Sequence, residues 1–288
     1  MVTGLPVRSA CLASKKDIAR GFGKARATYE GASRLQRLMG NTMLEVLQSQ
    51  VDLNRVPIRA LDLGCGTGWF TRRLAGLGGV GSVMGMDLSP GMVEQAGASE
   101  FPDVAWVVAD AEAIPLPNES CDLIFSNLMI QWCADPSLVL RECRRVLRPG
   151  GRLMVSTLLD GTLKELDHAW QLADPGQSHI NRFEQETAFR EAVSRELPGA
   201  DIVAKNLRLP CESPLALAAE LKQLGAGYKG AGRRLTVTAP NRLRAMCRHY
   251  PTEPEGGVVA SYEAAWVYWT CREVGGNTNT SKSAGHSY

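Results

Sequence analysis

A run of glycines and three acidic positions carry the chemistry visible in this 288-residue chain. In Leu61-Asp62-Leu63-Gly64-Cys65-Gly66-Thr67-Gly68-Trp69-Phe70 an apolar run ends in glycines at alternate positions. Glycine there lets the backbone turn sharply and lets a ligand lie against it with no Cβ in the way. The spacing is G-x-G-x-G and not the G-x-G-x-x-G of a dinucleotide site, which weakens the case for a pyrophosphate docked on the helix start. Nineteen residues past Gly68, the next apolar run ends in Met86-Asp87-Leu88. A carboxylate at that place can accept two hydrogen bonds from a ribose diol. A third run ends in Ala109-Asp110-Ala111-Glu112. Between Arg73 and Arg141 the chain has nine acids and no Lys or Arg, a field that favours a cationic ligand over a pyrophosphate. Taken singly, most such carboxylates sit on solvated helices and loops.

These positions meet only if the runs are strands of one sheet, because ligands of open α/β sheets bind outside the carboxyl ends of the strands. The runs Arg59–Leu63, Ser82–Met86, Val104–Val108, Leu123–Ser126 and Arg152–Ser156 are apolar without strict alternation, as strands covered on both faces are. Helical patterns separate them at Gly68–Leu77, Pro90–Ala98 and Pro136–Leu147, the last closed by the turn signal Arg148-Pro149-Gly150-Gly151. Upstream, Ser14 to Gln50 reads as two helices broken near Gly31 and Ala32. Downstream come helical stretches Leu163–Leu172 and Gln185–Leu197 around a Pro175-Gly176 break, an apolar run Asp201–Leu209, a helix Pro214–Leu224, a basic segment and a run Val258–Cys271. The expected fold is α/β: a doubly wound, mostly parallel seven-stranded sheet with amino-terminal helices and an inserted helical cap. It forms one domain over 14–274, divided into lid helices 14–50, a core 58–157, a cap 160–198, and closing strands with the basic segment 200–274. Trp266, Tyr268 and Trp269 read as sheet packing, and residues 1–13 and 275–288 as disordered ends.

Composition narrows the function. With 44% hydrophobic and 22% charged residues the chain can build a large core, and a net charge of +2 argues against a dedicated nucleic-acid binder. No apolar stretch approaches a membrane span and the first residues lack a leader's apolar run, so neither membrane nor secretion is expected. The eight cysteines include no C-x-x-C pair, so they read as reduced thiols of a cytoplasmic protein with no metal site. Residues 229–250 nevertheless carry six bases and no acid, and residues 1–50 eight bases against three acids.

Asp62 to Gly68, Asp87 and Asp110, in that order and spacing, resemble the class I S-adenosylmethionine-dependent methyltransferases, whose fold is Rossmann-like, over roughly residues 58–157. The resemblance implies S-adenosyl-L-methionine as cofactor and a cofactor-binding set of Asp62, Gly64, Cys65, Gly66, Asp87, Leu88, Met92, Asp110, Ala111, Glu112 and Asn127. In it the Gly64–Gly66 loop packs on the methionine part, Asp87 holds the ribose, Asp110 with Ala111 faces the adenine, and Leu88 and Met92 touch the purine.

The segment Phe125-Ser126-Asn127-Leu128-Met129-Ile130-Gln131-Trp132-Cys133 lacks the Asn/Asp-Pro-Pro-Tyr motif of base and amide methylation. With Ser156-Thr157-Leu158, His179-Ile180-Asn181-Arg182-Phe183 and the pattern Phe22…Tyr29…Gln36, it resembles the malonyl-acyl-carrier-protein O-methyltransferases of biotin synthesis. That resemblance implies methylation of the free carboxylate of a malonyl thioester with acyl carrier protein as partner; the chain is expected to act as a monomer, and its basic segments to steer the acidic carrier. Arg182 is the expected carboxylate anchor, because a guanidinium suits a carboxylate bidentately, and Tyr29 would close over the methyl site. Gln131, Trp132, His179 and Asn181 would line the substrate site. Without the family, Arg182 reads as a surface arginine and Tyr29 as a half-buried helix tyrosine. Other readings of the same residues are a methyltransferase on a small hydrophobic acceptor such as a quinone precursor, and a nicotinamide-dependent oxidoreductase.

Overall fold

The computed structural model describes residues 14–50, 57–98, 101, 103–228 and 238–272. The expected disordered ends, and Lys229, Arg233 and Arg234 of the basic segment, lie outside the described residues.

The apolar runs pair into seven strands: β1 (Ile58–Leu63), β2 (Val80–Asp87), β3 (Val104–Val108), β4 (Cys121–Asn127), β5 (Leu147–Leu158), β6 (Asp201–Cys211) and β7 (Val258–Thr270). Their order is β3-β2-β1-β4-β5-β7-β6. Strands β1 to β5 run parallel, and β7 pairs antiparallel with both β5 and β6. The order reverses between β1 and β4, which opens a crevice at their carboxyl ends.

The helices are α1 (Lys15–Ala32), α2 (Arg34–Gln50), α3 (Trp69–Ala75), α4 (Pro90–Gly97), α5 (Pro136–Val146), α6 (Lys164–Ala173), α7 (Glu186–Glu196), α8 (Pro214–Gln223) and α9 (Pro240–His249). Three start on one local signal, a side-chain acceptor followed by proline. Ser89, Asp135 and Ser213 accept from the amides of Met92, Ser137 and Ala216, and Pro90, Pro136 and Pro214 take the first helical position, where no amide is needed. The core forms on both sheet faces. Met39 and Met43 of α2 pack with Phe70, Phe125 and Trp266 on one, and Val139 and Leu140 of α5 pack with Leu61, Ile124 and Val267 on the other. No helix of the described residues is long and apolar enough to cross a membrane.

Three features depart from the sequence pattern. The Arg148–Gly151 turn lies inside β5, where Cys121 pairs with Leu147 and Leu123 with Arg152, so the four residues loop out of the ladder. Gly150 takes φ +79° in that loop and donates its amide to the Cys271 carbonyl at 2.7 Å. The stretch expected as one cap divides between faces: Leu166 and Trp170 of α6 join the α2 side, whereas Phe189 and Val193 of α7 join the α5 side. Each helix follows its own apolar stripe, and a sheet offers two faces. The basic segment holds α9, which packs on α6 and buries Met246.

Helix α1 is laid across α4 by glycine. A Cβ on Gly23 would stand 2.9 Å from Ser89 Oγ, and one on Gly91 would stand 3.1 Å from the Gly23 Cα. The backbones therefore approach more closely than any side chain allows. Gly23→Leu should lift α1 at a cost of about 1–3 kcal/mol, the range for overpacking a close contact. Hydrogen exchange should show faster exchange confined to residues 15–32; unchanged protection there would contradict the contact.

Candidate active site

Beyond β1 the chain turns through Gly64 at φ +79° and Gly66 at φ +55° into α3. The amides of Gly64 and Cys65 both donate to the Met86 carbonyl, at 2.7 and 3.0 Å, which binds the turn to the end of β2. A Cβ on Gly64 would meet the Met129 side chain at 2.3 Å, so backbone angle and packing both require glycine. At Gly66 a Cβ would project toward the Tyr29 ring 3.8 Å away, into the cleft. That glycine keeps the turn open to a ligand.

Asp87 closes the turn from β2. Its Oδ2 accepts from the Gly66 amide at 2.9 Å and its Oδ1 from the Ser89 amide at 2.8 Å. Burial raises the Asp87 carboxyl above its ordinary range, and these two amides oppose the rise. Each oxygen retains a further lone pair, which suits a diol. Asp62 lies deeper, 2% exposed, and accepts from the Thr71 hydroxyl at 2.6 Å. Burial pushes it up to about 7; the Thr71 hydrogen bond opposes this and the Asp87 charge adds to it. Burial, then Asp87 and Asp62, raise Tyr29, and burial raises the Cys65 thiol. Both stay neutral near pH 7, in a setting whose unbalanced charge is negative.

Helix α1 spans this edge and is pinned at both ends. Lys15 reaches Asp110 at 2.5 Å and Glu112 at 2.6 Å. Desolvation lowers the Lys15 ammonium, but the two carboxylates outweigh it and raise it overall. At the other end Glu30 accepts from Thr67 Oγ1 at 2.9 Å and from Arg72 at 3.2 Å, beside the glycine turn. The acidic edge expected from the sequence is thus partly answered by a cation 95 residues away from Asp110. Leu88 is half-buried at the same edge, Ala111 is buried, and Met92 is 1% exposed, closed off beneath α4 and not open as a purine contact would be. Asn127 joins β4 to α2, donating to the Gln36 carbonyl at 2.9 Å and accepting from Ser156 Oγ at 2.6 Å.

Two clefts result. One, of about 420 Å³, is lined by Asp62, Gly64, Cys65, Gly66, Trp69 and Asn127 among others. The second, of about 750 Å³, is lined by Gln131, Trp132, His179, Asn181 and residues of α8, including Leu221. Tyr29 and Gln36 line both. Phe22 sets the edge of the larger cavity, with its ring 5.1 Å from Trp132 and 6.4 Å from Tyr29. Gln131 accepts from Thr157 Oγ1 at 3.3 Å, and Asn181 donates to the Ala226 carbonyl at 3.0 Å. The His179 ring stacks on Trp170 at 3.9 Å and its Nε2 lies 2.9 Å from Asp174 Oδ2.

The structure does not bring Arg182 to this cavity. His179, Ile180, Asn181 and Phe183 line the wall while Arg182 is exposed to solvent. Lys15, Glu30, Gln36, Arg37 and Trp69 are the site residues that sequence reasoning passed over. Gln36 entered a pattern without a role, and Trp69 stood directly after Gly68. For Lys15 and Glu30 the sequence holds no signal, since their partners are set by how α1 folds back.

Residues 61–155 match the family described as a methyltransferase domain. The malonyl-acyl-carrier-protein O-methyltransferase of Hahella chejuensis is 41% identical over 254 residues, covering 86% of this chain and 88% of that protein. The biotin biosynthesis bifunctional protein BioHC of Cellvibrio japonicus is 40% identical over 88% of this chain, which spans 49% of that longer protein. Among solved structures, the YcgJ protein of Bacillus subtilis superposes with a TM-score of 0.58 at 18% identity, over 82% of this chain and 99% of that one. A Haemonchus contortus phosphoethanolamine N-methyltransferase in complex with S-adenosylhomocysteine reaches 0.50 at 20% identity, over 81% and 53%. At such identities the structures share the fold.

The buried Asp62 carboxyl ties stability to pH. The native state keeps its proton up to about pH 7, while an unfolded aspartate loses it near the ordinary value of 3.8. Stability from this group is therefore fully present below about pH 4 and falls as pH rises toward 7, with a slope of about 1.4 kcal/mol per pH unit. Asp62→Asn should flatten that fall in urea unfolding between pH 5 and 7.5; an identical slope in the variant would contradict it.

Proposed function

This chain belongs to the malonyl-acyl-carrier-protein O-methyltransferases, and from that membership we propose that it uses S-adenosylmethionine to methylate the free carboxylate of a malonyl thioester on acyl carrier protein. The methyl ester formed would then prime pimelate synthesis for biotin. The observation that carries this reading is the meeting of the two clefts at Tyr29 and Gln36, which puts a cofactor end and an acceptor end on either side of one boundary.

The residues fit the cofactor. Asp87 offers an anionic acceptor at the strand end that favours a cation, and Gly66 leaves the turn open. When bound, S-adenosylmethionine supplies a methyl group on a cationic sulfur. Asp87 holds the ribose. Gly64, Cys65 and Gly66 back the methionine part with Asp62 beneath and Asn127 beside them, while Leu88, Asp110, Ala111 and Glu112 form the purine end under Lys15.

A malonyl carboxylate is already ionised at neutral pH, so no residue need act as a base. Tyr29, kept protonated by burial and its acidic neighbours, donates a hydrogen bond to the acceptor and walls it from water. In-line positioning of this kind contributes up to about 7–11 kcal/mol in well-oriented reactions. Among the described residues lining the larger cavity, His179 presents an imidazole ring whose Nε2 lies against Asp174 Oδ2, which orients it toward an acceptor carboxylate. It takes the carboxylate-holding role that the exposed Arg182 cannot fill from its position, with Gln131, Trp132 and Asn181 as the surrounding wall. Arg244 and Arg248 on α9 are exposed and offer a basic approach to an acidic carrier. The enzyme acts as a cytoplasmic monomer in this reading, in keeping with seven free thiols among the described cysteines.

Incubation of the full chain with malonyl-acyl carrier protein and methyl-labelled S-adenosylmethionine should place the label in a base-labile ester. No label, or equal label on an acetyl-loaded carrier without a free carboxylate, would overturn the reading.

A further inference from the structure

Five side-chain nitrogen or oxygen atoms are buried without a hydrogen-bond partner among the described residues, and three of them surround the smaller cleft. They are Gln36 Oε1, Arg37 Nε and Trp69 Nε1. A buried polar atom with no partner costs free energy, so a cluster of them marks a place that a ligand or water completes. Their types differ in an informative way: one is an acceptor and two are donors. The Arg37 guanidinium lies over the Trp69 ring at 4.3 Å from its centroid and donates from Nη2 to the Glu30 carbonyl at 2.8 Å, which holds the two donors side by side.

An α-amino-carboxylate is the complementary group. Its ammonium needs an acceptor, its carboxylate needs donors, and both charges must be met within a few ångströms. We propose that Gln36, Arg37 and Trp69 form a clamp for the amino-acid end of the sulfonium cofactor, Gln36 Oε1 accepting from the ammonium and Arg37 and Trp69 donating to the carboxylate. The inference rests on the cofactor reading above and assigns to α2 and the start of α3 a role distinct from that of the glycine turn. Because Gln36 also lines the acceptor cavity, the clamp would fix the cofactor's length against the boundary where the methyl group must stand.

The test is calorimetric titration of the full chain with S-adenosylhomocysteine and with 5′-methylthioadenosine, which has the nucleoside but no amino-acid end. The wild type should prefer S-adenosylhomocysteine by more than a hundredfold. Gln36→Leu and Trp69→Phe, the latter keeping the ring under Arg37, should each lose about tenfold or more of that affinity, the scale of one hydrogen bond to a charged group. Binding of 5′-methylthioadenosine should stay within twofold in both variants, and it doubles as the check that they fold. Variants that bind both ligands as the wild type does, or lose both alike, overturn the clamp alone. A wild type that binds neither ligand overturns the cofactor reading and the clamp with it.

Discussion

The Asp87 carboxylate, shared between the Gly66 and Ser89 amides, is the interaction on which the rest of the site depends. It joins three pieces of chain: the end of β2, the glycine turn after β1, which the Gly64 and Cys65 amides also tie to Met86, and the first turn of α4. Remove that charge and the turn loses the group that holds its open side toward the crevice. Its position also sets the electrostatics, because its carboxylate is met by two backbone amides and no described cation lies against it. A cationic ligand is the natural counter-charge.

Helix α1 then converts an open sheet edge into a closed one. Three contacts of different kinds hold it: the Lys15 ion pairs at the β3 end, the Gly23 contact on α4, and the Glu30 hydrogen bonds beside the glycine turn. Ion pairs at half-exposed positions are individually weak, so the close glycine contact and the half-buried Tyr29 must contribute much of the hold. The arrangement places Tyr29 between two clefts. That wall is what a carboxyl methylation requires, since the nucleophile needs no activation, only exclusion of water and a fixed approach.

Much of this was legible in the sequence because its signals are local. The ends of β1 and β2, the positive-φ glycines and the Ser-Pro and Asp-Pro helix starts each follow from a few adjacent residues, and Asp87 stands where the strand pattern puts it. What was not legible depends on contacts distant in sequence. Lys15 finds Asp110 only after α1 has folded back, and α6 and α7 take opposite faces of the sheet because each matches a different apolar surface. Arg182 was the natural anchor by charge, but its direction is decided by which neighbours the wall takes in, and the wall takes Asn181 and Phe183.

The central claim is that Asp87 and the glycine turn orient a cationic cofactor so that its transferable group meets the acceptor cavity at Tyr29. A crystal structure of the full chain with S-adenosylhomocysteine tests it most directly. The account predicts both ribose hydroxyls on the Asp87 carboxylate and the sulfur at the Tyr29 boundary, facing the cavity of Gln131 and His179. A ribose held elsewhere, or a sulfur turned away from that cavity, would contradict it.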